Sequence, residues 1–342
     1  MMVPNNIRMH PNATAQASVR VHRHLAMGTE FCLYLQRPVT EMQEAEERTL
    51  LQAVFAEVDR VEAIFSRFRA SSEIARLNRL AAEGPVVTDP EVFSLLFEAK
   101  RLWEKSGGAF DVALGRLGRA WGFADRAPHM PTREELTEAE AAAGMALVAL
   151  DPEWRTVEFL RPGVELDLGA FAKGYAVDCS LGVLCGAGAS GLLDAGHSSL
   201  AAVGEPFENN WKIEVRAPVM QGAEGALLDA IPLGCRAMGS SGIMEQKFEA
   251  DVCVASHPRV VSHLFDPRRG RREERRRQML QTTVLAETAA LADALSTALF
   301  VLGPEEGRAI AEIFENCAAL WIFEEAGALH IAECNWPGVL SA

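Results

Sequence analysis

The stretch ELDLGAFAKGYAVD, Glu165 to Asp178, reads as a strand end, a glycine turn and the start of a helix gathered around Lys173 and Asp167. Gly169 and Gly174 let backbone approach a ligand where a β-carbon would obstruct it. A new helix offers unpaired N–H groups to an anion, and Lys173 adds a full positive charge, so the junction suits a phosphate. Asp167 repels phosphate unless a hydroxyl or a metal lies between. The plain alternative is an ordinary strand-to-helix turn with a solvated lysine.

Outward from that junction, strands are expected at Phe31 to Gln36, Thr156 to Leu160, Leu192 to Asp194, Trp211 to Arg216 and Ala318 to Phe323. Glu41 to Phe68 and Asp89 to Ser106 carry charged and apolar residues at helical spacing, which predicts two amphipathic helices. Pro131 to Gly144 opens with Thr132 as an N-cap and Glu135 three residues later, a capping box. Helices and strands intermix without the regular alternation of a doubly wound sheet, so the fold class is α+β.

Near the C-terminus, ETAALADALSTALFVLG predicts a buried helix that nonetheless carries Asp293 and Thr297 four residues apart. That spacing puts a carboxylate and a hydroxyl on one face, a pair suited to a hard cation such as magnesium shared with substrate phosphates. The alternative is that Thr297 bonds back to its own helix while Asp293 caps or faces solvent. A third stretch, SHLFDPRRG at Ser262 to Gly270, reads as a strand running into a turn, with His263 and Asp266 three residues apart.

With 342 residues and 49% hydrophobic content, the chain can bury a large core. A net charge of −14 argues against nucleic acid as the main ligand, and no apolar run is long enough to span a bilayer. Residues 1–21 read as a flexible tail without an apolar signal region or a lipidation cysteine, so a cytoplasmic location is expected. Seven cysteines, an odd number without metal-type pair spacing, suit a reducing compartment. The basic run from Arg268 to Arg277 reads either as a solvated loop or as a docking surface for an acidic partner.

Six segments in the same order resemble the ApbE family, the magnesium-dependent FAD:protein FMN transferases. They are AMGTEF (Ala26 to Phe31), FSRFRASSEIARLN (Phe65 to Asn78), GGAFDVALGRLGRAWGF (Gly107 to Phe123) and the three stretches above. The resemblance implies two similar α+β lobes with the flavin nucleotide between them, formed by residues 22–342. It implies FAD contacts at Met27, Phe68 (where the family usually has Tyr), Ala109, Phe110, Asp111, Asp167, Lys173 and Phe265. It implies a magnesium shell of the Ala170 carbonyl, Asp293 and Thr297, and makes His263, with Asp266 behind it, the candidate for proton transfer. The activity implied moves FMN from FAD to a Thr or Ser hydroxyl of an acceptor protein, releasing AMP. Departures stand at Ala195, Gly196 and His197, where the family commonly has Gly-Gly followed by Asp or Asn. Another lies at SSGIME, which keeps Ser241 and Gly242 but loses the polar and aromatic pair behind them. These leave open an FAD-binding or FAD-hydrolysing protein without an acceptor.

Overall fold

Continuous apolar runs such as FCLYLQ and AALWIF are suited to strands covered on both faces, and each forms a strand one place in from an edge of the largest sheet. The computed structural model describes residues 7–10, 19–36, 44–124, 127–204, 211–216, 227–234, 236–243, 247–254, 257–262, 264–268 and 277–338. The chain divides into two units. Unit 1 comprises Met1–Glu62, Phe171–Gly242 and Arg277–Ala342, and unit 2 comprises Ala63–Ala170 and Ile243–Arg276.

Unit 1 holds β1 (Ile7–His10), β2 (Val19–Ala26), β3 (Thr29–Gln36) and most of α1 (Glu44–Phe65), then α6 (Ala172–Gly186), β7 (Ser190–Ala195), β8 (Ser199–Val203), β9 (Lys212–Arg216), β10 (Leu227–Pro232) and β11 (Ala237–Gly242). It is completed by β14 (Arg277–Ala286), α7 (Ala289–Ala311), β15 (Ala318–Glu325) and β16 (Ala328–Cys334). Eight strands make one sheet in the order β16-β15-β14-β11-β8-β7-β3-β2, and β1-β9-β10 make a smaller one. Every described pairing is antiparallel, as befits α+β rather than βαβ construction. Unit 2 holds α2 (Glu73–Leu80), β4 (Val86–Val87), α3 (Pro90–Lys105), α4 (Gly115–Ala120), α5 (Arg133–Ala141), β5 (Val148–Asp151), β6 (Thr156–Phe159) and the hairpin of β12 (Lys247–Val254) with β13 (His257–Ser262).

Most expected elements form where the pattern places them. The capping box of α5 is present in both directions, Thr132 Oγ1 accepting from the Glu135 amide at 3.2 Å while a Glu135 oxygen accepts from the Thr132 amide at 2.8 Å. Two expectations change. Of the stretch read as a tail, Ile7–His10 pairs with β9 and β2 begins at Val19. The strand end expected at the start of the Glu165 to Asp178 stretch is instead an extended segment outside any described sheet. Its bonds come singly: the Asn78 side-chain amide brackets Leu166, Asp167 N–H donates to Val112 O at 2.7 Å, and Gly115 N–H donates to Glu165 O at 3.0 Å.

Helix α7 is buried along most of its length because small residues let its neighbours close on it. A β-carbon on Gly239 of β11 would lie 2.3 Å from the Ala292 carbonyl carbon, and one on Gly174 of α6 would lie 2.2 Å from the Ala289 oxygen. Only glycine permits either approach. The helix breaks at Gly303 (φ 74°) and restarts at Pro304, since proline disfavours a helical residue before it yet is tolerated in a first turn.

Candidate functional site

In unit 1, the first turns of α6 and α7 meet, and each helix supplies the carboxylate that the other needs. Asp178 of α6 accepts from the Ala289 and Ala290 amides of α7 at 2.8 and 2.9 Å. Asp293 of α7 accepts from the Gly174 amide of α6 at 2.8 Å and from Ser199 Oγ at 2.6 and 2.7 Å. First-turn amides have no partner within their own helix, so both carboxylates satisfy donors that would otherwise be orphaned. Asp293 therefore caps the neighbouring helix and is only 6% exposed.

Burial pushes the Asp293 carboxyl up to about 7, against the opposing pull of the Lys173 charge and of the Ser199 and Gly174 bonds. Burial likewise pushes Asp178 up to about 6, against its two amide bonds. Lys173, half-buried in the first turn of α6, thus shares one electrostatic neighbourhood with Asp293. One turn along α7, Thr297 Oγ1 lies 3.1 Å from Ser241 Oγ of β11, which also meets Ser296 Oγ at 2.7 Å.

These groups fit a hard cation. The ligand atoms that Asp293 and Thr297 themselves offer are oxygens, and a carboxylate has about four lone-pair sites, more than the Gly174 and Ser199 bonds occupy. A desolvated carboxylate held near neutral pKa is also a charge that a cation would stabilise. Among the described residues, no cluster of three or more His, Cys, Asp or Glu side chains forms a metal cage. The fit is therefore to an ion that takes a few protein oxygens and completes its shell from substrate. Ala170 is the last residue of unit 2.

Met27 occupies the β2–β3 turn with φ 52°, followed by Gly28 at φ 75°, so a non-glycine residue holds a left-handed conformation there. Gly196 packs against Thr29, and its amide donates to Glu30 O at 3.0 Å. His197 also has positive φ, 62°. Its amide donates to Asp194 Oδ1 at 2.8 Å, and its Nδ1 lies 2.7 Å from Asp194 Oδ2. That contact raises the imidazole pKa against the effect of burial. The Asp194 partnership explains how histidine is tolerated in backbone geometry that favours glycine.

In unit 2, the GGAFD segment is a backbone clamp. Asp111 accepts from the Ala113 amide at 2.8 Å and the Met145 amide at 2.9 Å, and burial pushes its carboxyl up to about 6. Ala109 and Phe110 are 2% and 1% exposed. The Phe110 ring is thus a core group, and any part this residue has in the expected FAD contact falls to its main chain. Phe68 is the opposite case, 72% exposed, with the Arg67 guanidinium carbon 4.4 Å from its ring centroid. Asp167 Oδ1 accepts from the Gly169 amide at 2.9 Å, and Oδ2 pairs with Arg67 Nε at 3.1 Å. Phe265 packs with Trp121 and Phe123 at centroid distances of 6.4 and 5.9 Å. Both oxygens of Asp266 are engaged by the Arg268 guanidinium at 3.0 Å. His263 lies outside the described residues.

The ApbE family model matches residues 27–321. The chain belongs to the ApbE family. Among curated relatives, a FAD:protein FMN transferase of Treponema pallidum is 31% identical over 312 residues, covering 86% of this chain and 81% of that protein. One from Haemophilus influenzae is 32% identical over 258 residues, covering 74% and 72%. Among solved structures, the flavin transferase ApbE from Vibrio cholerae superposes with a TM-score of 0.79 at 25% identity, covering 93% of this chain and 98% of that one. The ApbE protein of Thermotoga maritima gives 0.77 at 30% identity, covering 92% and 96%. The α+β fold of this ApbE chain is thereby the family's.

Four residues central to this geometry were not singled out as site residues by sequence. Ser241 lies in the SSGIME segment noted for departing from the family pattern and Ser199 two residues past the departure at His197, and their hydroxyls beside small residues were the available signal. Asp178 closes the quoted junction, but nothing local shows that it caps a helix 111 residues away. Arg67 is one of three arginines in FSRFRASSEIARLN, and nothing local marks it out from Arg69 and Arg76.

Proposed function

We propose that the chain is a magnesium-dependent FAD:protein FMN transferase, an activity carried by residues 22–342. It would move FMN from FAD to a Thr or Ser hydroxyl of an acceptor protein with release of AMP. The observation that carries the reading is the Asp293 carboxylate, buried between the first turn of α6 and the Ser199 hydroxyl, with Lys173 beside it. The names of the relatives in the family support the same reaction.

Asp293 and Thr297, with the Ala170 carbonyl, would hold magnesium, which when bound would supply positive charge to offset the negative charge building on the leaving AMP. Lys173 and the first-turn amides of α6 other than that of Gly174, which Asp293 holds, would stabilise the phosphoryl oxygens. The acceptor oxygen forms a bond to the FMN-side phosphorus as the bond from that phosphorus to the AMP oxygen breaks, in line with it. His263 takes the hydroxyl proton, and Asp266, whose oxygens Arg268 engages, is the second candidate for that role. Ala109, Phe110, Asp111, Asp167, Met27 and Phe265 would bind the rest of the nucleotide, and the exposed Phe68 ring offers it a stacking face.

The test is incubation with FAD, magnesium and a candidate acceptor, followed by mass spectrometry. An acceptor heavier by one FMN phosphoester, with AMP in solution, is the expected result. FMN and AMP released equally well without acceptor would assign FAD hydrolysis instead, and intact FAD in both arms would reject catalysis.

A further inference from the structure

The side chain of Arg67 is only 9% exposed, although it stands in the charged run FSRFR. Two carboxylates compensate its charge: Nε lies 3.1 Å from Asp167 Oδ2, and Nη1 donates to Glu165 Oε1 at 3.4 Å. Glu165 is itself gripped by Arg119, through Nη2 at 2.6 Å and Nε at 3.2 Å. The guanidinium is thus held from both sides, with little freedom to swing.

That fixed plane lies against the Phe68 ring, its carbon 4.4 Å from the centroid, while 72% of Phe68 remains exposed. A ring backed by a desolvated cation is held by the attraction between the positive charge and its π face, and a planar guanidinium stacks there as an ammonium does not. The same guanidinium fixes Asp167, whose other oxygen closes the turn through the Gly169 amide. The geometry points to Arg67 as a positioning residue for nucleotide binding: it holds the Phe68 ring as a stacking face and sets the Asp167 carboxylate beside it. The inference rests on the FAD reading above and adds to it a residue that does not itself touch the ligand.

A double-mutant cycle tests this by flavin fluorescence titration, with melting temperature recorded for every variant. Arg67→Met should raise the Kd for FAD about tenfold in the otherwise unchanged chain, and less than about twofold in a Phe68→Ala/Asp167→Asn background. Arg67→Lys restores a charge for Asp167 but not the flat stack, so it should fall between, at about threefold. An equal loss in both backgrounds would mean that Arg67 serves general stability, and unchanged affinity in the folded Arg67 variants would remove the role altogether. Should Arg67→Met not fold, Arg67→Lys decides: wild-type Kd and wild-type KM in that variant overturn the inference. A wild-type chain that binds no FAD rejects the function reading and this inference together, whereas FAD binding indifferent to Arg67 rejects only the latter.

Discussion

Asp293 is the residue on which most of the proposed chemistry depends. Asp293→Asn keeps an oxygen to accept from Gly174 and Ser199 but removes the charge, so the fold should survive while FMN transfer is lost. Circular dichroism beside the transfer assay checks both halves, and normal turnover in the folded variant would contradict the metal reading. Lys173→Ala should weaken FAD binding by roughly ten- to a hundredfold, the loss expected for one charge-assisted contact. An unchanged titration would return Lys173 to a solvated role. His263→Ala should slow single-turnover transfer by roughly 10²–10⁴ while FAD still binds. If the rate and its dependence on neutral pH persist, Asp266 becomes the better base. The Asp293–Thr297 pair was legible because helical periodicity puts both on one face. Ser199 and Ser241 were not, because they arrive on separate strands and only tertiary pairing brings them to α7.

At the scale of elements, the seat of α7 depends on two absent β-carbons. Gly239→Ala or Gly174→Ala would press a methyl group onto helix backbone, which cannot yield as the far end of a flexible side chain can. Each should cost about 1–3 kcal/mol or more in urea denaturation, and Gly239→Ala should also lower activity because it displaces backbone at Asp293. Wild-type stability in both would mean that α7 can shift freely. Apolar runs and caps made most helices and strands readable from sequence. The segment from Val164 to Leu168 misled because its apolar alternation mimics a strand, whereas its hydrogen bonds go to a side-chain amide and to isolated backbone groups. Alternation reports which side is buried and does not reveal whether a neighbouring strand exists.

For the whole molecule, three buried carboxylates set the direction of pH sensitivity. Asp111 and Asp178, pushed up to about 6, and Asp293, pushed up to about 7, bind protons more readily folded than unfolded. Stability should therefore fall as pH rises from the ordinary carboxylate range near 4 through 6 and 7. His197, whose pKa is raised, adds in the same sense: its contribution is full below the unfolded value and is lost as pH passes the folded one. Glu73, held down to about 2 chiefly by Arg76, acts oppositely, but only below about pH 4.5. Melting temperatures without divalent ions should decline between about pH 5 and 8, less steeply in Asp293→Asn, and magnesium should offset part of the decline above pH 7. A melting temperature that climbs across that range would contradict the assignment of these groups as desolvated. The exchanged caps of α6 and α7 have a kinetic meaning as well. Because Asp178 reaches amides 111 and 112 residues away and Asp293 one 119 residues away, neither helix start gains its cap until a long stretch of chain has closed. Deuterium uptake at Gly174, Ala289 and Ala290 should consequently follow a single opening rate, as reciprocal caps that open together would, and separate rates would contradict that coupling.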